Sequence, residues 1–387
     1  MSLSLTLPTL DGRSETYALT GTPHVAPATR PSFNRIAYAA AHVVSDPMRD
    51  SDPWSRPAID WDRTIAYRHH LWSLGFRIAE AMDTSQRGMG LDWTGAQELI
   101  RRSMAASRGV DGADLACGAG TDQLDPAAAR DLDDVVRAYE TQVEFVESQG
   151  GRVILMASRA LARVARSADD YRAVYRRLLG QARDKVILHW LGDMFDPQLR
   201  GYWGSETFGE ALDTVLDIIG ENRDKVEGIK ISLLDNASEI ELRNRLPEGV
   251  LCYTGDDFNY AELIEGDGKR HSHALLGIFD AVSIPASLAL SALASGDTAR
   301  FRAIIEPTVP LSRRIFEAPT QYYKAGVVFL AWLNGHQDHF TMPAGMQSAR
   351  GILHYAEVFR LADRSGVLAR PDLARARMRH LLALSGM

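Results

Sequence analysis

Read from the first residue, the hydrophobic positions of this chain change period repeatedly. Short apolar or β-branched runs alternate with longer stretches in which apolar residues recur every three or four positions. The first pattern predicts buried strands and the second predicts amphipathic helices. Eight strands are expected, at 35–44, 76–82, 113–117, 152–157, 185–190, 226–231, 249–253 and 275–283. Helices are expected between them at 60–74, 94–104, 131–149, 168–181, 206–219 and 237–246. The strand starts recur about every 34 residues, the length of a strand, a helix and two loops. Eight such units predict an α/β fold, a (β/α)8 TIM barrel. An open doubly wound sheet would carry a glycine-rich turn after its first strand. Here that strand runs into Ser45-Asp46-Pro47-Met48, with no glycine.

The pattern is different at both ends. Residues 1–33 are rich in Thr, Pro, Ser and Gly and read as an arm or a small strand pair. Beyond 298 only helical periodicity remains, at 299–316, 321–334, 348–362 and 371–384. The expected division is an arm over 1–33, a barrel over 34–298 and a C-terminal helical segment over 299–387. That segment would cover one face of the barrel or make a subunit contact.

Composition narrows the function classes. The 387 residues carry a formal charge of −7, which argues against a general nucleic-acid coat. No apolar run reaches the length of a membrane span, and the first ten residues lack the basic region of a secretory signal. The only cysteines are Cys117 and Cys252, too few for a disulfide framework or a cysteine zinc site. A cytoplasmic protein is expected, with no nucleic-acid or membrane partner.

In a barrel of this kind the chemistry sits where the strands end. The sixth strand, Val226-Glu227-Gly228-Ile229-Lys230-Ile231, places a lysine inside an apolar run. Desolvation lowers an ammonium pKa and exposes a nucleophilic amine, as Schiff-base chemistry requires. A strand-end lysine that snorkels or pairs with a carboxylate is the plainer reading of the same residue.

Five strand ends, in order, resemble one family. Val226–Lys230 is similar to the V-x-G-I-K strand of the dihydrodipicolinate synthase and N-acetylneuraminate lyase superfamily. Leu251–Asp257 resembles its L-x-S-G-D-D stretch, and Val186–His189 its V-I-L-Y stretch. Ala116–Thr121 resembles A-G-T-G, and Asp83–Gly88 resembles G-T-T-G-E-G. The resemblance covers about residues 34 to 335. It implies a class I lyase or aldolase, commonly a homo-oligomer (dimer or tetramer), that needs no cofactor. Lys230 would form an imine with a keto acid or keto sugar. Thr84 and Ser85 would hold the oxygen-rich end of that substrate, with Asp83 and Asp256 beside it.

The departures are specific. His189 stands where the family has its proton-shuttling tyrosine, and histidine also moves protons near neutral pH. The fourth strand ends Met156-Ala157-Ser158-Arg159, where the family has T-P-Y-Y. Asp83 replaces a glycine and would repel a carboxylate, so a neutral polyol-like keto compound fits as well as a keto acid. Asp256 and Asp257 also suit a helix cap near Tyr260.

Two other readings keep the barrel. His271, His273 and the run His336-Gln337-Asp338-His339 have the composition of metal ligands, and would suit a divalent-metal sugar isomerase, epimerase or aldolase. No recognised ligand spacing accompanies them. A non-catalytic barrel that binds a keto sugar would explain the missing tyrosines. The long loop 192–204 could wall the cavity or serve as a lid.

Overall fold

Strict alternation along eight short strands builds the centre of the molecule. The computed structural model describes residues 3–387. The strands are β3 (Ala37–Ala40), β4 (Arg77–Glu80), β5 (Leu115–Ala119), β6 (Arg152–Leu155), β7 (Val186–Leu191), β8 (Val226–Ser232), β9 (Leu251–Thr254) and β10 (His273–Leu276). They pair in parallel in chain order, and β10 closes onto β3 to complete the barrel. Tyr38, Ala79, Ala116, Ile154, Ile187, Tyr253 and Leu275 fill the interior. Their chain neighbours Ile78, Leu115, Val153, Leu188 and Cys252 face the surrounding helices. This two-residue period is the strand geometry itself.

The helices that follow the strands form the outer layer. They are α1 (Trp61–Ser73), α2 (Trp93–Ser107), α3 (Leu132–Ser148), α4 (Arg159–Val164), α5 (Ala168–Gln181), α6 (Phe208–Glu221), α7 (Asn236–Arg245) and α8 (Tyr260–Glu265). Several start on an aspartate whose side chain accepts a backbone N–H of the first turn, as Asp60, Asp92, Asp131 and Asp235 do. A buried ion pair clamps α1 to β4. Arg68 donates to both carboxylate oxygens of Glu80, at 2.8 and 2.9 Å, and Ser103 of α2 donates to Glu80 at 2.6 Å. Glu80 therefore faces the helices, not the barrel interior.

The eighth strand is shorter than expected. It ends at Leu276, and Ile278–Ala281 (α9) and Ser283–Ala294 (α10) are helical. A buried apolar run carries no periodicity that separates strand from helix. The expected helix 299–316 is divided into α11 (Thr298–Ile305) and α12 (Val309–Ile315) by a tighter turn at Glu306–Thr308. Pro307 and Pro310 lack the N–H groups a continuous helix would need there.

Three helices complete the C-terminal segment: α13 (Tyr323–Leu333), α14 (Ile352–Arg364) and α15 (Pro371–Leu384). All eleven residues of α13 are buried. The N-terminal arm forms a hairpin of β1 (Ser4–Pro8) and β2 (Ser14–Ala18) that leans on this segment. Tyr17 donates to Asp363 at 2.8 Å, and Leu5 and Leu7 share an apolar cluster with Phe359 and Met378.

The barrel is plugged at the end where its strands begin. Arg77 pairs with Asp114 at 2.9 Å, Arg152 pairs with Glu227, and Tyr253 donates to Glu227 at 2.6 Å. Polar side chains that satisfy one another fill that end. The opposite end, where the strands finish, is the open one.

Candidate active site

Lys230 and His189 continue the interior faces of their strands toward the open end. They are register partners across β7 and β8. Lys230 is 8% exposed. Among the described residues no hydrogen bond or ion pair holds its ammonium. Burial pulls its pKa below the usual lysine value, and the carboxylates of Asp83 and Asp257 pull it partly back.

His189 is fully buried. Burial, with the nearby Lys230, holds its pKa well below the ordinary imidazole value, so the ring is neutral. Its Nε2 lies 3.4 Å from Ser232 Oγ, and its Nδ1 is buried without a partner. Such an orphaned buried nitrogen is uncommon in a folded protein, and it marks a place for a ligand or a water.

A cleft of about 190 Å³ opens beside His189. Asp83, Met156, Arg159, His189, Asp196 and Leu199 form part of its wall. Asp83 begins a tight turn, Asp83–Ser85, held between two residues in the left-handed region, Ala81 (φ 53°) and Gln86 (φ 61°). Non-glycine residues take that conformation at a cost, and they cluster at functional sites. The Asp83 carboxylate receives no hydrogen bond from the described residues.

The other expected substrate contacts are placed differently. Thr84 Oγ1 shares a 2.8 Å hydrogen bond with the Tyr323 hydroxyl. Ser85 Oγ donates to the Ala41 carbonyl at 2.7 Å. Ser85 is thus engaged in holding the turn. Asp256 accepts from the backbone N–H groups of Phe258 and Asn259 and from the Asn259 side chain, at 2.8 to 3.0 Å. Its carboxylate closes its own loop just before α8, whose N-cap is Asn259 without a side-chain hydrogen bond, so the expected helix cap is not formed.

Asp257, the neighbour, is the acid of this pair whose charge acts on Lys230. One of its oxygens accepts the Ile278 N–H at 2.9 Å. Burial raises its pKa to about 7, although the Ile278 and Gly277 amides and Lys230 act the other way. A group that titrates near neutrality beside a nucleophile is suited to moving protons.

The sequence reading did not identify two residues of the C-terminal segment that reach this end of the barrel. Tyr323, at the start of α13, stacks on Phe316 with ring centroids 4.3 Å apart and meets Thr84. Lys324, next to it, is buried and donates to the Gln321 carbonyl at 2.9 Å. Burial draws its pKa down to about 8, while Asp83 pulls it up. The signal was present: Lys324 is a lone charge in an otherwise apolar run, as Lys230 is.

The residues with the composition of metal ligands fall in two separate places. His271 and His273 sit at the start of β10, at the plugged end, where His273 Nδ1 accepts the Ile36 N–H at 3.0 Å. His336 packs on Tyr67 and His70, and Asp338 pairs with Arg63 at 2.6 Å. Among the described residues no group of three or more His, Cys, Asp or Glu side chains is arranged to hold a metal ion. Both cysteines are buried and unpaired. No helix of the described residues is long and apolar enough to cross a membrane.

The model of a family described as "Protein of unknown function (DUF993)" matches residues 5–387. The chain belongs to the DUF993 family. No curated protein matches it. Among solved structures, this chain resembles YagE, an Escherichia coli prophage protein of the dihydrodipicolinic acid synthase family solved with pyruvate. Identity is 11%, the match covers 91% of this chain and 98% of that one, and the TM-score is 0.63. The pyruvate complex of dihydrodipicolinate synthase from Acinetobacter baumannii is 14% identical over 86% of this chain and 99% of that one, with a TM-score of 0.61. The dihydrodipicolinate synthase of Aquifex aeolicus is 12% identical over 84% and 98%, with a TM-score of 0.59. The likeness is one of fold. The barrel of this chain has the fold of these dihydrodipicolinate synthase structures.

Proposed function

We propose that this protein is a class I lyase or aldolase that forms a Schiff base between Lys230 and a keto acid or keto sugar. The observation that carries the reading is Lys230 itself. It is a nearly buried amine at the end of a barrel strand, without a hydrogen bond or ion pair among the described residues, with its pKa lowered by desolvation. An amine kept from water and from partners is held ready to attack a carbonyl.

The steps follow from the residues around it. The neutral Lys230 amine adds to the ketone carbon, and loss of water leaves a protonated imine. A base then removes the proton of a hydroxyl two carbons away from the imine carbon. The carbon–carbon bond breaks, its electron pair moves toward the imine nitrogen, and an aldehyde departs. The enamine left behind is protonated at carbon and hydrolysed back to the free lysine. Condensation is the reverse course, and elimination of a β-hydroxyl as water uses the same electron sink.

His189 and Asp257 are the proton carriers in this scheme. His189 offers a neutral ring with an unpartnered Nδ1, and Asp257 offers a carboxyl that titrates near neutrality. The test is reductive trapping. Borohydride is added to the protein with a panel of keto acids and keto sugars, and peptides are analysed by mass spectrometry. An adduct on Lys230 with a substrate that is turned over supports the mechanism. Turnover of a substrate that never leaves an adduct on Lys230 would overturn it.

A further inference from the structure

The charges around Lys230 limit what can be bonded to the carbonyl carbon. Each cation at this end of the barrel has an acid to match. Arg87 is paired with Asp122 at 2.7 Å and Arg159 with Asp196 at 2.5 Å. Lys230 lies near the carboxylates of Asp83 and Asp257, and Lys324 near those of Asp83 and Asp196. By formal charge the set is balanced before any ligand enters. An additional anion in a site this buried would be uncompensated, and uncompensated buried charge is strongly disfavoured.

The donors that an anion would need are also committed elsewhere. Ser85 Oγ is bound to Ala41. Arg87 donates to the carbonyls of Ala81 and Gly118 as well as to Asp122 and Gln142. The Thr84 and Tyr323 hydroxyls share one hydrogen bond, which leaves a single neutral O–H between them. What remains open is a matched couple. Asp83 presents a carboxylate with no hydrogen bond, and Lys324 uses only one of its three N–H donors on Gln321. One accepts and the other donates, which is what a hydroxyl requires.

We propose that the ketone condensing with Lys230 is neutral and hydroxylated next to its carbonyl, as a ketose is, with its hydroxyls held between Asp83 and Lys324. The inference rests on the imine reading above and selects among the substrates that reading admits. In an α-keto acid the carboxylate is one bond from the carbon joined to Nζ. It would stand among Asp83 and Asp257 with no guanidinium to receive it, and only the remaining N–H groups of Lys324 to set against two carboxylates. A hydroxymethyl group in the same place adds no charge, and it can donate to Asp83.

A matched pair of small ketones isolates this difference. Hydroxyacetone and pyruvate have the same carbon skeleton and differ in carrying CH2OH or a carboxylate beside the ketone. Borohydride trapping is titrated with each ketone on the full-length protein, and the adduct is located by peptide mass spectrometry. Hydroxyacetone is expected to label Lys230 at a half-saturating concentration at least tenfold below that of pyruvate. In Asp83→Asn, whose fold is checked by near-ultraviolet circular dichroism, the ratio is expected to move at least tenfold toward pyruvate. Labelling of Lys230 by pyruvate as readily as by hydroxyacetone would overturn the inference and leave the imine mechanism standing. So would a ratio that the Asp83 substitution leaves unchanged. No label on Lys230 from either ketone would overturn the imine reading and this inference together. The wild-type ratio decides the matter even where the variant fails to fold.

Discussion

Gly255, at the end of β9, lies directly against the aliphatic stem of Lys230. A Cβ added to Gly255 would come within 2.7 Å of Lys230 Cε and 2.1 Å of Ser232 Oγ. The absent side chain is what lets the lysine extend along the barrel interior. Gly255→Ala is therefore expected to displace Lys230 and to destabilise the fold by about 1–3 kcal/mol, the usual cost of overpacking. Denaturant titration measures the second effect. Trapping of the amine by borohydride and a ketone measures the first, and unchanged trapping in a folded variant would show that the stem does not depend on this contact.

Removing the amine separates chemistry from folding. Lys230→Met retains most of the apolar stem and deletes a desolvated cation. Its melting temperature is expected to equal or exceed that of the parent, because a buried charge without a hydrogen bond gives the fold little. Turnover is expected to fall by about a thousandfold or more, as it does when a covalent nucleophile is removed. A variant that keeps its activity would move the imine elsewhere, and Lys324 would be the next amine to examine.

His189→Asn tests proton transfer after the imine has formed. Loss of a positioned general acid or base typically lowers the rate about 10²–10⁴-fold. The imine is expected to form and be trapped in the variant while turnover falls within that range. Equal loss of trapping and turnover would assign His189 to positioning the lysine instead.

Asp257 gives a pH-dependent signature. Its carboxyl has a reference pKa of 3.8 and titrates at about 7 in the fold. A pKa raised by folding means that the folded chain retains a proton the unfolded chain has already released. Stability from this group is complete below about pH 4 and is lost as the pH rises toward about 7. Asp257→Asn is expected to remove that loss, so its melting temperature gains on the parent at pH 7.5 and not at pH 4.5. A constant difference between the two proteins across that window would show that Asp257 is ionised in the fold throughout.

The Arg68–Glu80 pair is structural and gives a prediction of another kind. Both side chains are fully buried. Glu80→Ala leaves the guanidinium without its partner, and breaking a buried pair from one side costs about 3–5 kcal/mol. The midpoint of urea unfolding reports this. A loss under about 1 kcal/mol would mean that water reaches Arg68 once Glu80 is removed.

Much of the barrel was legible because its rules are local. A two-residue apolar period needs only the neighbours along one strand, and the helix over 168–181 was read to the residue because its apolar face lies within fourteen positions. The eighth strand was overextended for the same reason. Val282 and the residues before it are buried on every side, and a buried run looks alike in either conformation. The reading of Asp256 and Asp257 failed at finer grain. Adjacent acids are indistinguishable in sequence, and only the path of the loop turns one onto Asn259 and the other toward Lys230.

By itself the sequence determined the repeating strand–helix unit, the interior position of Lys230 and the placement of His189 one strand away. Each of these follows from spacing along the chain. Tertiary structure alone decided that His271 and His273 lie at the plugged end, and that Tyr323 and Lys324 join residues more than two hundred positions earlier. Barrel closure sets the first, since a strand's direction assigns its start and its end to opposite faces. Burial of α13 sets the second. That helix is apolar on all sides, and packing it against the barrel draws the polar residues at its first turn into the mouth of the site.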